Sequence, residues 1–308
     1  MQTTLHQFQK SKPKTGRGRE ERTKIATETL AAIKNGSYGV GNVSYQLAPM
    51  IQHTLTNTVF EPAISATMSG WKNFPSAHAA TAKTTLAVHQ TSTLEALRSL
   101  AQVPGARVAV LNFASAHKPG GGFLTGAQAQ EESLARSSTL YCSLSSPTGQ
   151  LFYNNVDKDS GYYSHTMLWS PNVTFFRDDR GHWLAPCMAA VVTSAAVNAG
   201  VVKAKLPEAS HDEADARIRS AMHERMARIL YLLERQGSTH VVLGSFGSGV
   251  FKNDIPTVAQ VWAELVGPGC RFERSFVHIS FAIIDERTYM VFKEAFIQRC
   301  GELWASLV

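Results

Sequence analysis

Residues 107–132 read RVAVLNFASAHKPGGGFLTGAQAQEE, and the order of textures in that stretch decides the fold. Arg107 to Phe113 is apolar almost throughout, so it reads as a buried strand. The chain then turns glycine-rich and polar from Ser115 to Gln130, and a short helix is expected from Glu131 to Leu140. Three adjacent glycines, Gly120, Gly121 and Gly122, are entropically costly to order, so their place behind Pro119 asks for more than a simple turn. Glu131 and Glu132 stand at the expected helix start, where the dipole favours their ionised forms. Like charge and partial burial act the other way and part the two carboxyls in pKa, so one can be ionised while its neighbour keeps a proton. A solvated helix start would account for the acids alone and leaves the glycines unexplained.

A second glycine loop repeats the arrangement further on. His240 to Leu243 (HVVL) is a strand that runs into Gly244-Ser245-Phe246-Gly247-Ser248-Gly249-Val250-Phe251. A Walker A motif would need Lys after Gly249, where Val250 stands, and a dinucleotide fingerprint starting at Gly247 would need Gly in place of Lys252. Both motifs fail, but the physical logic holds. Glycines let successive backbone N–H groups converge on an anion, and a following helix N-terminus adds its dipole. By itself the loop reads equally as structural punctuation.

The remaining elements alternate. Helices are expected over Thr23–Lys34, from the capping box Ser92-x-x-Glu95 to Leu100, from Ser210-x-x-Glu213 to a stop at Gly237, over Ile255–Leu265 and over Arg287–Gln298. The long helix before Gly237 shows Ile218, Met222, Met226, Ile229 and Leu233 on one face. Strands are expected at Thr84–Val88, Asn172–Arg177, Met188–Ala195 and Phe276–Ile284. This alternation predicts an α/β layered domain with a mixed sheet, and both glycine loops leave the ends of strands, where such sheets bind ligands.

The 308 residues are 44% apolar and 18% charged, an ordinary globular composition. The net charge of +6 is concentrated at the start. Lys10, Lys12, Lys14, Arg17, Arg19, Arg22 and Lys24 face only Glu20 and Glu21, which is +5 in residues 1–24 and +1 in the rest. A flexible basic tail over 1–24 is expected, either a solvated leader or an arm that touches a polyanion. No run approaches the roughly 20 apolar residues of a membrane span, and residues 1–14 lack the apolar centre of a secretory signal. Cys142, Cys187, Cys270 and Cys300 form no CxxC pair, so a reducing cytosol is the expected compartment (or a nucleus in a eukaryote), with no metal and no membrane. No HExxH is present, His223 being followed directly by Glu224, and no GxSxG elbow. Trp71, Trp169, Trp183, Trp262 and Trp304 read as core or rim aromatics.

GGG followed by QEE after Phe123–Ala129 resembles the signature of the microbial-type poly(ADP-ribose) glycohydrolases. The resemblance runs through Leu111–Tyr141, Thr174–Asp179, Val192–Ala196, Gly244–Asp254 and Asn35–Tyr38, and covers most of residues 17–300. It implies a macrodomain-like three-layer α/β/α fold with extra N-terminal helices. One such domain would fill 25–308, with 25–80 as a helical extension packed on it. It implies hydrolysis of ribose–ribose bonds in poly(ADP-ribose), with no cofactor, by a chain expected to be monomeric. Glu132 would be the general acid, and Glu131 would hold hydroxyls of the departing ribose. Gly120, Gly121, Gly122, Phe123 and Gln130 would frame that ribose and the diphosphate. Gly247, Ser248 and Gly249 would present backbone donors to the diphosphate, with Val250 and Phe251 closing over it. Asn112 and Ser115 would contact ribose, although relatives carry Asn where Ser115 stands, and Asn198 would lie on the adenine side. Two further readings stay open: release of ADP-ribose from a modified nucleic acid, protein or small ester, and a non-catalytic ADP-ribose reader.

Overall fold

A computed structural model describes residues 15–73 and 83–301. Its strands are β1 (Ser37–Val40), β2 (Val43–Gln46), β3 (Val59–Glu61), β4 (Thr85–His89), β5 (Val108–Phe113), β6 (Met167–Arg177), β7 (Trp183–Ser194), β8 (His240–Leu243) and β9 (His278–Ala282). Its α-helices are α1 (Thr15–Asn35), α2 (Ala48–Asn57), α3 (Ala66–Ser69), α4 (Thr93–Leu100), α5 (Gln130–Ser137), α6 (Leu140–Ser145), α7 (Pro147–Asn155), α8 (Ala199–Ala204), α9 (His211–Arg235), α10 (Ile255–Val266) and α11 (Glu286–Cys300).

Seven strands form one mixed sheet in the order β3-β6-β7-β5-β8-β9-β4. From β7 to β4 the neighbours run parallel, while β6 and β3 add the antiparallel edge. The composition of β5 follows from its central place, because a strand covered on both faces must be apolar on both. Its Ala109 and Leu111 pack with Val241, Leu243, Ile279 and Phe281 against residues of α9, α10 and α11. Val108 and Val110 face the other way, onto Leu97 of α4, Leu134 of α5, Leu144 of α6 and Phe152 of α7. The result is the expected three-layer α/β/α arrangement. The carboxyl ends of β5, β7, β8 and β9 emerge side by side and deliver both glycine loops to one edge.

Several expectations are corrected. The basic segment 1–24 is not a free tail throughout, since α1 starts at Thr15 and residues 1–14 lie outside the described residues. Arg19 donates from Nε to the Thr125 carbonyl at 2.7 Å, and Arg22 from Nε to the Gly126 carbonyl at 2.8 Å. Read as sequence, a charge run looks solvated; here it meets the unpaired carbonyls of a loop 100 residues away. The region 25–80 is not purely helical. β1 and β2 make a hairpin, whose Tyr38 stacks with Tyr45 and Trp183, and β3 joins the main sheet. Residues 74–80 of that region lie outside the described residues.

The capping box at Ser92 forms: its Oγ accepts from Glu95 N at 3.0 Å, and Glu95 Oε2 accepts from Ser92 N at 3.5 Å. The one at Ser210 does not, because Ser210 ends a 3₁₀ turn over Glu208–Ser210 and makes no side-chain cap bond. The helix expected to Leu140 breaks at Ser138, which turns extended to bridge Phe175 of β6, and resumes as α6. β6 and β7 are longer than expected because a register shift after Ser170, with Asn172 at φ 52°, lets the hairpin continue past its irregularity. The strand expected over Phe276–Ile284 is shorter, β9 being only five residues.

Replacing Ser92 with Ala removes the cap of α4 and the bond from Ser92 Oγ to Asp179 Oδ2. A loss of about 1 kcal/mol is expected, read as a lower denaturation midpoint at unchanged slope.

Candidate active site

Gln130 explains how the acidic pair comes to stand beside the central strand. Its Oε1 accepts from Phe113 N at 2.9 Å, and its Nε2 donates to the Leu111 carbonyl at 2.7 Å and to Thr93 Oγ1 at 3.3 Å. The first residue of α5 is thereby stitched to the last turn of β5. Glu131 follows with only 2% of its surface exposed. Its Oε2 accepts from Ser115 N at 2.7 Å and its Oε1 from Asn112 Nδ2 at 3.3 Å. Burial pushes the Glu131 carboxyl up to about 8, and the Ser115 and Asn112 donors offset only part of that rise. At neutral pH Glu131 therefore keeps its proton. Glu132 is half-buried, and its Oε1 accepts from Gly122 N at 2.9 Å.

The glycines make this convergence sterically open. Gly121 sits at φ +59°, and a Cβ there would stand 2.3 Å from Glu132 Oε1 and 3.1 Å from Glu131 Oε2. Both carboxyls thus press on one bare α-carbon. No side chain fits, and the backbone conformation would be strained for any residue that had one.

In the second loop, Gly247 has φ +78°, and a Cβ would overlap Ala196 Cβ at 2.5 Å and Asn253 Nδ2 at 2.6 Å. Asn253 Nδ2 donates to the Val197 carbonyl at 2.7 Å and the Gly247 carbonyl at 3.0 Å, which ties the loop to the chain leaving β7. Trp262 of α10 donates from Nε1 to the Gly244 carbonyl at 3.1 Å. The Ser248 hydroxyl turns back onto the Ser245 carbonyl at 2.9 Å, Gly249 faces open space, and Val250 is 77% exposed. Phe251 packs on Tyr163, ring centroids 5.7 Å apart, and Tyr163 meets His117 of the first loop at 6.2 Å. The two loops therefore share one face of the molecule.

Between them lies a cleft of about 410 Å³. Phe113 and Phe246 form its aromatic floor, with centroids 5.5 Å apart. Gln130, Gly247, Ser248, Gly249, Val250 and Phe251 line it. Gly120, Gly121, Gly122, Glu131 and Glu132 are not in its wall; they adjoin it through Gln130. Other residues expected at the site have side chains engaged within the protein. Phe123 is fully buried against Tyr141 and Ala135, since the turn after Gly122 drives its ring beneath the loop. Asn112 is also fully buried and holds Glu131 and Thr193 Oγ1. The Ser115 hydroxyl accepts from His117 N and Lys118 N, so it closes the turn. Gln130, though in the wall, engages its amide with β5. Asn198 caps α8, accepting from Val201 N at 3.1 Å. Trp71, Trp169 and Trp262 are core, Trp183 lies under Arg177, and Trp304 is outside the described residues.

Phe113, Phe246, Ile283, Ile284, Asp285 and Thr288 also line the cleft and were not singled out as site residues from sequence. The signal for the last four was the carboxyl end of an apolar strand followed by the helix cap Asp285, which accepts from Thr288 N at 2.8 Å. Among the described residues no group of three or more His, Cys, Asp or Glu side chains could hold a metal ion.

The fold and the paired carboxyls define a class of layered α/β hydrolytic sites, and comparison with known proteins narrows it. A family model for the microbial-type PARG catalytic domain matches residues 26–178. The poly(ADP-ribose) glycohydrolase of Thermomonospora curvata is 33% identical, with 90% of this chain and 100% of that chain aligned at TM-score 0.82. Its structure bound to the inhibitor ADP-HPD aligns at 32% identity and TM-score 0.79, over 90% and 100% of the two chains. The Deinococcus radiodurans enzyme in complex with ADP-ribose is 33% identical over 82% of this chain and 99% of that one, at TM-score 0.72. No curated protein matches. The chain belongs to the microbial-type poly(ADP-ribose) glycohydrolase family.

The buried state of Glu131 makes stability depend on pH. Below its usual 4.5 the group is protonated folded or unfolded, and burial costs nothing extra. Between 4.5 and about 8 the unfolded chain sheds a proton that the folded chain retains, so stability falls as pH rises through that window. Glu131→Gln is expected to flatten this decline and to be the more stable protein at pH 8, by on the order of a few kcal/mol, in unfolding titrations at pH 5, 6.5 and 8.

Proposed function

We propose that this chain hydrolyses the ribose–ribose O-glycosidic bonds of poly(ADP-ribose) and releases ADP-ribose, with Glu132 as general acid and then general base. The observation that carries the reading is the meeting of two unlike carboxyls at the bare α-carbon of Gly121, beside a cleft whose second wall is a glycine loop suited to a pyrophosphate. Glu131 is buried and neutral, whereas Glu132 is half-buried and held by a single backbone donor. Glu132 is therefore the one free to move a proton. It protonates the departing 2′-oxygen as the anomeric C–O bond breaks, which leaves an oxocarbenium-like ribose. Water then adds to the anomeric carbon while Glu132 takes its proton, which restores the starting state.

Neighbouring carboxyls on one helical turn cannot stand on opposite faces of a sugar, as the usual inverting and retaining pairs do. The pyrophosphate of the substrate supplies negative charge in place of a second opposed carboxylate. Glu131 is assigned the hydroxyls of the ribose being released, Gly120, Gly121 and Gly122 the floor beneath it, and Gly247, Ser248 and Gly249 the pyrophosphate, with Val250 and Phe251 over it. The intact acid pair favours an enzyme over a reader, which needs none. A reducing compartment such as the cytoplasm fits the four unpaired cysteines, and no described helix is long and apolar enough to cross a membrane.

Glu132→Gln is expected to keep ADP-ribose affinity and to lose at least about 100-fold in turnover, followed as ADP-ribose released from polymer. Unchanged turnover would remove Glu132 from the role. Parallel assays with ADP-ribosylated DNA and mono-ADP-ribosylated protein should give no comparable release. Gly121→Ala, which pushes Glu132 aside, is expected to lower kcat as severely while ADP-ribose still binds, as measured by calorimetry.

A further inference from the structure

A pyrophosphate carries two negative charges, yet among the described residues the cleft assigned to it has no cationic side chain in its lining. The one charged group there is the carboxylate of Asp285. Backbone N–H groups offer only partial charges. Lys252 follows the glycine loop directly, but its stem lies over Gly200, and it lines a separate cavity with Lys203 and Asp215. The counter-charge must come from elsewhere.

Arg225, in the middle of α9, is 1% exposed. Its Nη1 donates to the Ala195 carbonyl at 2.7 Å, and its Nη2 to the Tyr162 carbonyl at 2.8 Å and the Tyr163 carbonyl at 3.4 Å. Its Nε donates to His165 Nδ1 at 3.4 Å, and burial with the nearby arginines lowers that imidazole to about 4, so it is neutral. Glu224, next in sequence, is engaged by Arg228 Nε at 2.7 Å and by Trp71 Nε1 at 3.0 Å. Among the described residues Arg225 thus has no anionic partner. Burial, with Arg228 close by, lowers its pKa to about 9, which leaves it cationic at neutral pH. A buried cation without a counter-ion is costly and calls for an explanation.

Its contacts lead to the cleft. Ala195 precedes Ala196, whose Cβ lies 2.5 Å from the place a Cβ on Gly247 would occupy. Tyr163 packs on Phe251 of the same loop. The guanidinium therefore supports two sides of the glycine loop from behind. We infer that Arg225 is the buried counter-charge of the pyrophosphate: it positions the end of β7 and the 162–163 segment under the loop and, without touching the ligand, provides the positive potential that the lining lacks. This rests on the reading of the cleft as an ADP-ribose site, and it makes Arg225 a positioning residue.

The test is calorimetric titration of the full chain and of Arg225→Met, Arg225→Lys and Lys252→Met with ADP-ribose and with adenosine. Arg225→Met is expected to lose about tenfold or more in ADP-ribose affinity with adenosine affinity nearly unchanged, Arg225→Lys to recover most of that loss, and Lys252→Met to match wild type. Equal losses for both ligands in both Arg225 variants would reduce the residue to a brace and overturn the inference, as would a Lys252→Met variant that reproduces the loss. Should Arg225→Met fail to fold, the wild type still decides. A buried charge is screened little by salt, so ADP-ribose affinity should change by less than about threefold between low and high salt, and a steep decline would place the counter-charge on the surface. Failure of the wild type to bind ADP-ribose would refute the reading of the cleft itself.

Discussion

The hydrogen bond from Gly122 N–H to Glu132 forms across a residue that has no side chain. Any β-carbon on Gly121 would stand inside the Glu132 carboxylate and against that of Glu131. The rest of the site is arranged around this constraint. The turn after Gly122 drives Phe123 into the core, α1 presses its arginines onto the carbonyls of Thr125 and Gly126, and Arg136 Nη1 holds the Ala127 carbonyl at 2.7 Å. Three guanidinium groups on three successive carbonyls fix a loop whose own regular structure is a single 3₁₀ turn over Phe123–Thr125.

Adjacent acids on one helix share a dipole and nearly share a position, so only their surroundings can make them differ. Gln130 anchors the helix to β5 and turns Glu131 inward against Ser115 N–H and Asn112. Glu132, one residue on, rotates to the open side. The difference in burial is set by the fold, and it is burial that raises the Glu131 carboxyl.

The opposite wall works by another principle. An anion can be held by backbone donors and a remote cation, with no arginine in contact, provided the loop is rigid. Asn253, Trp262 and Ala196 supply that rigidity from three different elements. The aromatic pair Phe113 and Phe246, tilted against each other, backs the cleft with apolar surface.

Much of this was written in the chain. The apolar run at β5, the cap at Ser92, the glycine stop at Gly237 and the GGG and QEE elements are local signals, because each depends on neighbours a few residues away. Other features were decided only in three dimensions. Charge density could not show that Arg19 and Arg22 would find carbonyls more than 100 residues distant. Residue type could not show that Phe123, Asn112 and the Ser115 hydroxyl would face inward, while Ile284 and Asp285 came to line the cleft. Nor could it show that, among the described residues, Arg225 would stand without a carboxylate. Burial and partnership between distant segments are properties of packing, and packing exists only once the sheet has closed its layers.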